Sequence, residues 1–186
     1  MHTLRPLKKV IEELPGIEGL EKPVVLLLTG EGKGKTTAGI GQVVRAAGRG
    51  YKCAVLHFLK GVKVGEDYAL ERLGVDVFFS GPDHFIDVYN PKEEEKELVR
   101  KFWEEMRGRL REYDVVLLDE FNLTVFSRII AAEEIKPLIE KTPPYLLILV
   151  GRRAPPELVE LASVASEVRL IKHHYPKVGA MRGLEA

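Results

Sequence analysis

The residues best equipped for chemistry form the run Thr29-Gly30-Glu31-Gly32-Lys33-Gly34-Lys35-Thr36-Thr37, in which three spaced glycines lead into a cation and two hydroxyls. Such a run suits a polyphosphate. Glycines let backbone N–H groups converge on phosphate oxygens, a lysine neutralises their charge, and a threonine hydroxyl is a ligand for magnesium. The strict phosphate-loop pattern places a glycine five residues before Gly34, where this chain has Thr29; Gly30, Gly32 and Gly34 keep the turn permissive. The second group is Val115-Val116-Leu117-Leu118-Asp119-Glu120, an apolar run that ends in two acids able to reach magnesium directly or through water. Arg45 and Arg152 either pair with phosphates at the edge of the same site or stay solvated. Together these residues point to ATP held with Mg2+.

These groups need elements to hold them. An apolar run at 24–28 enters the glycine-rich turn, helical spacing follows over 35–47, and a further apolar run covers 53–58. The alternation continues with a short helix at 67–73, a strand at 75–79, a long helix inside 91–111, a strand at 115–118 and a helical stretch to about 141 across Pro137. A strand at 145–150, a helix at 155–162 and a last apolar run at 168–171 complete the series before a polar tail. Residues 4–14 predict a short N-terminal helix, and residues 80–90 form the longest irregular loop. Continuous apolar strands separated by helices predict a three-layer α/β/α sandwich around a mainly parallel sheet, the RecA-like fold of P-loop NTPases. Ligands in such sheets bind at the carboxyl ends of the strands, where Gly30, His57, Asp119, Glu120 and Arg152 all fall.

Length and composition bound the function classes. A chain of 186 residues with 45% hydrophobic content fits one domain, residues 1–186. Lys+Arg and Asp+Glu balance at 28 each, so no bulk field recruits nucleic acid or a membrane surface. Cys53 is the only cysteine, so no intrachain disulfide forms, and it reads as a core residue of a cytoplasmic protein. No apolar run is long enough to span a bilayer. His57, His173 and His174 lack a partner at metal-ligand spacing, so a structural zinc site is not expected; His57 is expected in or beside the core.

The motifs as a set resemble the P-loop type of ATP:cob(I)alamin, or corrinoid, adenosyltransferase. The resemblance runs through the loop at 29–37, Arg45-Ala46-Ala47-Gly48, Phe58-Leu59-Lys60-Gly61, Gly65-Glu66, Leu117-Leu118-Asp119-Glu120, Gly151-Arg152-Arg153-Ala154-Pro155, Ile171-Lys172-His173 and Arg182-Gly183-Leu184-Glu185. It implies transfer of the 5′-deoxyadenosyl group of ATP to the Co(I) of a reduced corrinoid (cobalamin), with release of triphosphate. It further implies ATP contacts at Thr29, Gly30, Gly32, Lys33, Gly34, Lys35, Thr36, Thr37, Arg45 and Arg152, and magnesium on Thr36 and Glu120. Lys35 and Glu120 would be the catalytic pair, and Phe85 the candidate for the corrinoid. A homodimer, an N-terminal extension at 1–22 that covers a partner subunit's site, and a flavoprotein electron donor belong to the same expectation. Three positions depart from the family pattern: Glu31 stands in place of an asparagine, Ser163 in place of an aspartate, and His84-Phe85-Ile86-Asp87 in place of a segment carrying tryptophan. The residues themselves leave two alternatives open: an ATPase in which Glu120 polarises water, and a nucleotide- and corrinoid-binding module with little turnover.

Overall fold

The computed structural model describes residues 7–179 and 181–184. Six strands, β1 (Val24–Thr29), β2 (Cys53–His57), β3 (Asp76–Phe79), β4 (Val115–Asp119), β5 (Leu146–Val150) and β6 (Val164–Glu167), make one sheet of order β3-β2-β4-β5-β1-β6. Every neighbouring pair is parallel. The helices are α1 (Leu7–Glu12), α2 (Lys35–Ala47), α3 (Gly65–Arg72), α4 (Glu93–Arg107), α5 (Phe121–Phe126), α6 (Lys136–Glu140) and α7 (Pro156–Leu161).

The period-two pleat sorts the strand residues onto two cores. Cys53, Val55, Val115, Leu117, Ile148 and Val150 meet Val43 and Ala46 of α2 and Leu70 of α3 on one face. Ala54, Leu56, Val116, Leu118, Leu147 and Leu149 meet Val99, Trp103 and Met106 of α4 and Leu158 of α7 on the other. That is the three-layer sandwich the apolar runs predict. On the α2 face the approach is tight enough to require Gly39, where an added Cβ would stand 2.6 Å from Leu117 Cδ1 and 2.9 Å from Val150 Cγ2.

Three expectations are revised. The last strand is Val164–Glu167 rather than 168–171; it is an exposed edge strand whose Val-Ala-Ser-Glu sequence carries no apolar period. Ser163, just before it, ties it to β1: its Oγ accepts from Val25 N at 3.0 Å, and its own N–H donates to Val25 O at 2.9 Å. The helical stretch after Glu120 is broken into α5, a 3-10 turn at Ala132–Ile135 and α6, because Arg128 takes a left-handed φ of 55°. Pro137 sits in the first turn of α6, where a missing N–H costs nothing. The N-terminal helix ends at Glu12 rather than at 14, and α1 buries no residue; residues 1–6 of the expected extension lie outside the described residues, as does Glu185 of the C-terminal motif.

Candidate functional site

β1 delivers the chain to the glycine-rich turn at the carboxyl end of the sheet, and α2 leaves from it. Gly34, at φ 113°, is the N-cap of α2, so the backbone N–H groups of Lys35, Thr36 and Thr37 open the helix without intrahelical acceptors. The positive end of the helix dipole faces the same space. The loop is braced from outside by the segment that follows β6. Gly32 N donates to Val168 O at 2.7 Å, and a Cβ at Gly30 would lie 2.5 Å from that carbonyl. Gly30 and Gly32 are therefore required by the close backbone of the tail. Lys33 reaches the tail too, donating from Nζ to Leu184 O at 2.9 Å.

Lys35 is buried and folded onto its own loop, donating to Gly32 O at 2.7 Å. Burial, followed by the nearby Arg152 guanidinium, pulls its pKa below the usual lysine value, against the opposing charges of Glu120, Glu31 and Asp119. Thr36 donates its hydroxyl to Asp119 Oδ1 at 2.9 Å. The partner of the threonine is thus the first acid of the pair at 119–120. Glu120 follows at a left-handed φ of 58°, a conformation that costs a non-glycine residue on the order of 1 kcal/mol and turns the chain sharply from β4 into α5. Its Oε2 is buried with no hydrogen-bond partner. Room for that oxygen comes from Gly151, where a Cβ would stand 3.2 Å away. Burial and then the adjacent Asp119 charge push the Glu120 carboxyl up to about 7. An orphaned carboxylate oxygen beside a hydroxyl and a second carboxylate is a set of hard oxygen donors, which fits Mg2+. Among the described residues no three His, Cys, Asp or Glu side chains converge as an all-protein metal cage.

The remaining expected residues divide. Arg152 stands at the rim and pairs with Glu31 at 3.4 Å, while Arg153 approaches the same carboxylate at 4.0 Å. Glu31 is thus exposed and held by two arginines. Thr29 Oγ1 accepts from Ala154 N at 3.1 Å and ties the loop after β5 to the phosphate loop. Thr37 is exposed in the first turn of α2. Arg45 is not brought to the loop: it lies in the last turn of α2, about 15 Å along the axis from Lys35, and donates to Gln42 Oε1 at 2.7 Å. Phe85 is fully exposed, at 101%, on the loop 80–90. It does not anchor that loop. Trp103, the only tryptophan, packs at 1% exposure among Phe58 and Phe121 and offers no ring to a ligand.

The site also contains residues that sequence reasoning missed. His57, expected as a core residue, is indeed buried, but its ring lies between Asp119 and Asp67. Asn122 donates to Leu28 O at 3.2 Å and Gly151 O at 2.7 Å, clipping the start of α5 to two strand ends. One signal was available for His57 and Asp119. Both close odd-numbered series, Cys53-Val55-His57 and Val115-Leu117-Asp119, that face α2, and they are register partners across β2 and β4.

The family model for the ATP:corrinoid adenosyltransferases BtuR/CobO/CobP matches residues 21–185. The chain belongs to the ATP:corrinoid adenosyltransferase family. A corrinoid adenosyltransferase of a Sinorhizobium species is 30% identical over 99% of this chain and 91% of its own length. The corrinoid adenosyltransferase of Escherichia coli strain K12 is 33% identical over 83% of this chain and 81% of its own. Salmonella typhimurium corrinoid adenosyltransferase CobA is 30% identical over 89% and 86%. These relatives favour adenosyl transfer over the hydrolytic and binding-only alternatives. No helix among the described residues is long and apolar enough to cross a membrane.

Proposed function

We propose that this chain catalyses the family reaction at the carboxyl ends of β1 and β4: the Co(I) lone pair of a reduced corrinoid attacks C5′ of ATP, a cobalt–carbon bond forms, the C5′–O bond breaks, and inorganic triphosphate leaves with the bonding pair. No proton transfer is needed at the reacting carbon. The observation that carries the reading is the convergence of Lys35, Thr36, Asp119 and the unpartnered Glu120 oxygen under a glycine-rich loop, a charge-neutralising cradle with the nucleophile supplied by the co-substrate.

In this reading Lys35 exchanges the Gly32 carbonyl for phosphate oxygens, and the N–H groups opening α2 take up the rest of the charge. Thr36, Asp119 and Glu120 would hold Mg2+, which neutralises the triphosphate. Arg152 leaves Glu31 for the outer phosphates. Phe85 and its loop are offered to the corrin face. A homodimer in which the N-terminal extension covers the partner's site, a flavoprotein electron donor and a cytoplasmic location complete the proposal. Cobalamin reduced chemically to Co(I) and mixed with the protein, ATP and Mg2+ should give the absorbance spectrum of adenosylcobalamin. Failure to form it, with ATP consumed, would reject adenosyl transfer.

A further inference from the structure

A buried chain of hydrogen bonds continues from the phosphate loop into the sheet. Thr36 Oγ1 donates to Asp119 Oδ1 at 2.9 Å, and Asp119 Oδ2 lies 2.9 Å from His57 Nδ1. The opposite nitrogen, His57 Nε2, lies 2.8 Å from Asp67 Oδ1 on α3. Asp67 Oδ2 accepts from Val64 N at 2.8 Å and has Lys60 Nζ at 3.6 Å. His57 and Asp67 are both 0% exposed and Asp119 4%. Ionised carboxylates only accept, so an imidazole flanked by one on each side donates from both nitrogens. The ring plane is set by stacking on Phe79, with centroids 5.2 Å apart and planes 18° from parallel.

A buried ionic bridge is a poor source of net stability beside apolar packing of the same volume. What it supplies is orientation. The terminal torsion of an aspartate is broad, so the side chain alone does not fix the plane in which its carboxylate meets Thr36. The imidazole fixes it, by holding Oδ2 while Oδ1 accepts from the hydroxyl.

We propose that His57 and Asp67 are positioning residues for the metal–triphosphate site, forming a buried bridge that fixes the Asp119 carboxylate against Thr36. Asp67 extends the effect to the loop after β2, because it also holds Lys60 and Val64. That loop lies against the one bearing Phe85: Gly81 N donates to Lys60 O at 3.1 Å, and a Cβ on Gly61 would stand 2.2 Å from Gly81 O. The bridge therefore joins the nucleotide cradle to the loop offered to the corrinoid. The inference rests on the metal reading given above.

The test is calorimetric titration of ATP into the full chain with Mg2+ and, separately, with chelator. His57→Ala should lower affinity for ATP in the presence of Mg2+ by about tenfold to a hundredfold, as loss of a residue supporting a metal ligand does, while metal-free ATP affinity stays within about threefold. Asparagine puts its amide nitrogen where Nδ1 stands and keeps the donor to Asp119; glutamine puts it where Nε2 stands and keeps only the donor to Asp67. His57→Asn should therefore recover most of the magnesium-dependent affinity and His57→Gln little of it. Equal behaviour of those two variants would overturn the proposal, and decides the matter if His57→Ala does not fold. Equal loss with and without Mg2+ would also overturn it, since that is general collapse of the loop. A wild-type chain whose ATP affinity ignores Mg2+ would instead remove the metal reading on which the proposal stands.

Discussion

Replacing Gly32 by alanine tests whether the tail braces the phosphate loop. The added Cβ would stand 2.7 Å from Arg169 O, 2.8 Å from Val168 O and 2.9 Å from Arg169 C, all of them backbone atoms that no rotamer change relieves. The loop and the tail must separate by roughly half an ångström or more to reach ordinary contact distance, which takes the 2.7 Å bond from Gly32 N to Val168 O to the edge of hydrogen-bond range or past it. Loss of that bond costs about 1 kcal/mol. Overpacking adds about 1–3 kcal/mol. Reduced freedom of the unfolded chain returns about 0.4–1 kcal/mol. The net expectation is a destabilisation of about 1–3 kcal/mol, read from urea unfolding by the fluorescence of the buried Trp103. Because the same displacement moves the cradle, ATP affinity should fall by at least about tenfold, the equivalent of 1.4 kcal/mol. Gly41→Ala is the control: nothing lies within 4 Å of its Cβ and it sits in the interior of α2, so it should be neutral or stabilising. A Gly32→Ala protein as stable as the parent and binding ATP as well would refute the bracing role of Val168 and Arg169.

The other expectations are narrower. Lys35→Ala removes the cation folded into the loop and should weaken ATP binding by about a hundredfold; unchanged affinity by calorimetry would end the assignment of the loop. Glu120→Gln should raise the magnesium concentration needed for half-maximal rate with the urea midpoint preserved, and an unchanged requirement would take Glu120 out of the site. Glu31→Gln frees Arg152 and removes an acid beside the phosphates; because this is an exposed pair, ATP affinity should rise by no more than about fivefold, and a fall would mean that Glu31 helps to hold the nucleotide. Burial pushes the Cys53 thiol up to about 11, so the unfolded chain loses this proton first; its contribution to stability is complete below pH 9 and is lost as pH rises toward 11. At pH 8 iodoacetamide should therefore label Cys53 only in urea, and rapid labelling of the folded protein would contradict its burial.

The strands that place the site were legible because each is a continuous apolar run buried on both faces, and α2 because it begins at a glycine cap and ends at Gly48. β6 was not, since an edge strand exposed on both faces has no apolar signal to read. The phosphate loop announced itself through residue type, whereas the choice between Asp119 and Glu120 as partner of Thr36 depended on the pleat. Asp119 closes the odd series that faces α2, and Glu120 turns away from the ladder at positive φ. His57 hid behind its own burial. A histidine at a strand end reads as core until Asp67, brought in from α3 ten residues on, supplies the second carboxylate. Arg45 is the opposite case: a cation whose residue type suits phosphate, placed by the rise of α2 far from the first turn of that helix.

The most direct test of the account is the position of bond cleavage. ATP labelled with carbon-13 at C5′ would be incubated with the protein, Mg2+ and Co(I) cobalamin, with carbon and phosphorus resonances followed together. The expected result is quantitative movement of the label to a cobalt-bound methylene, with one triphosphate released for each. Label retained in ADP or AMP, with phosphate or pyrophosphate accumulating, would place the cleavage at phosphorus and contradict it.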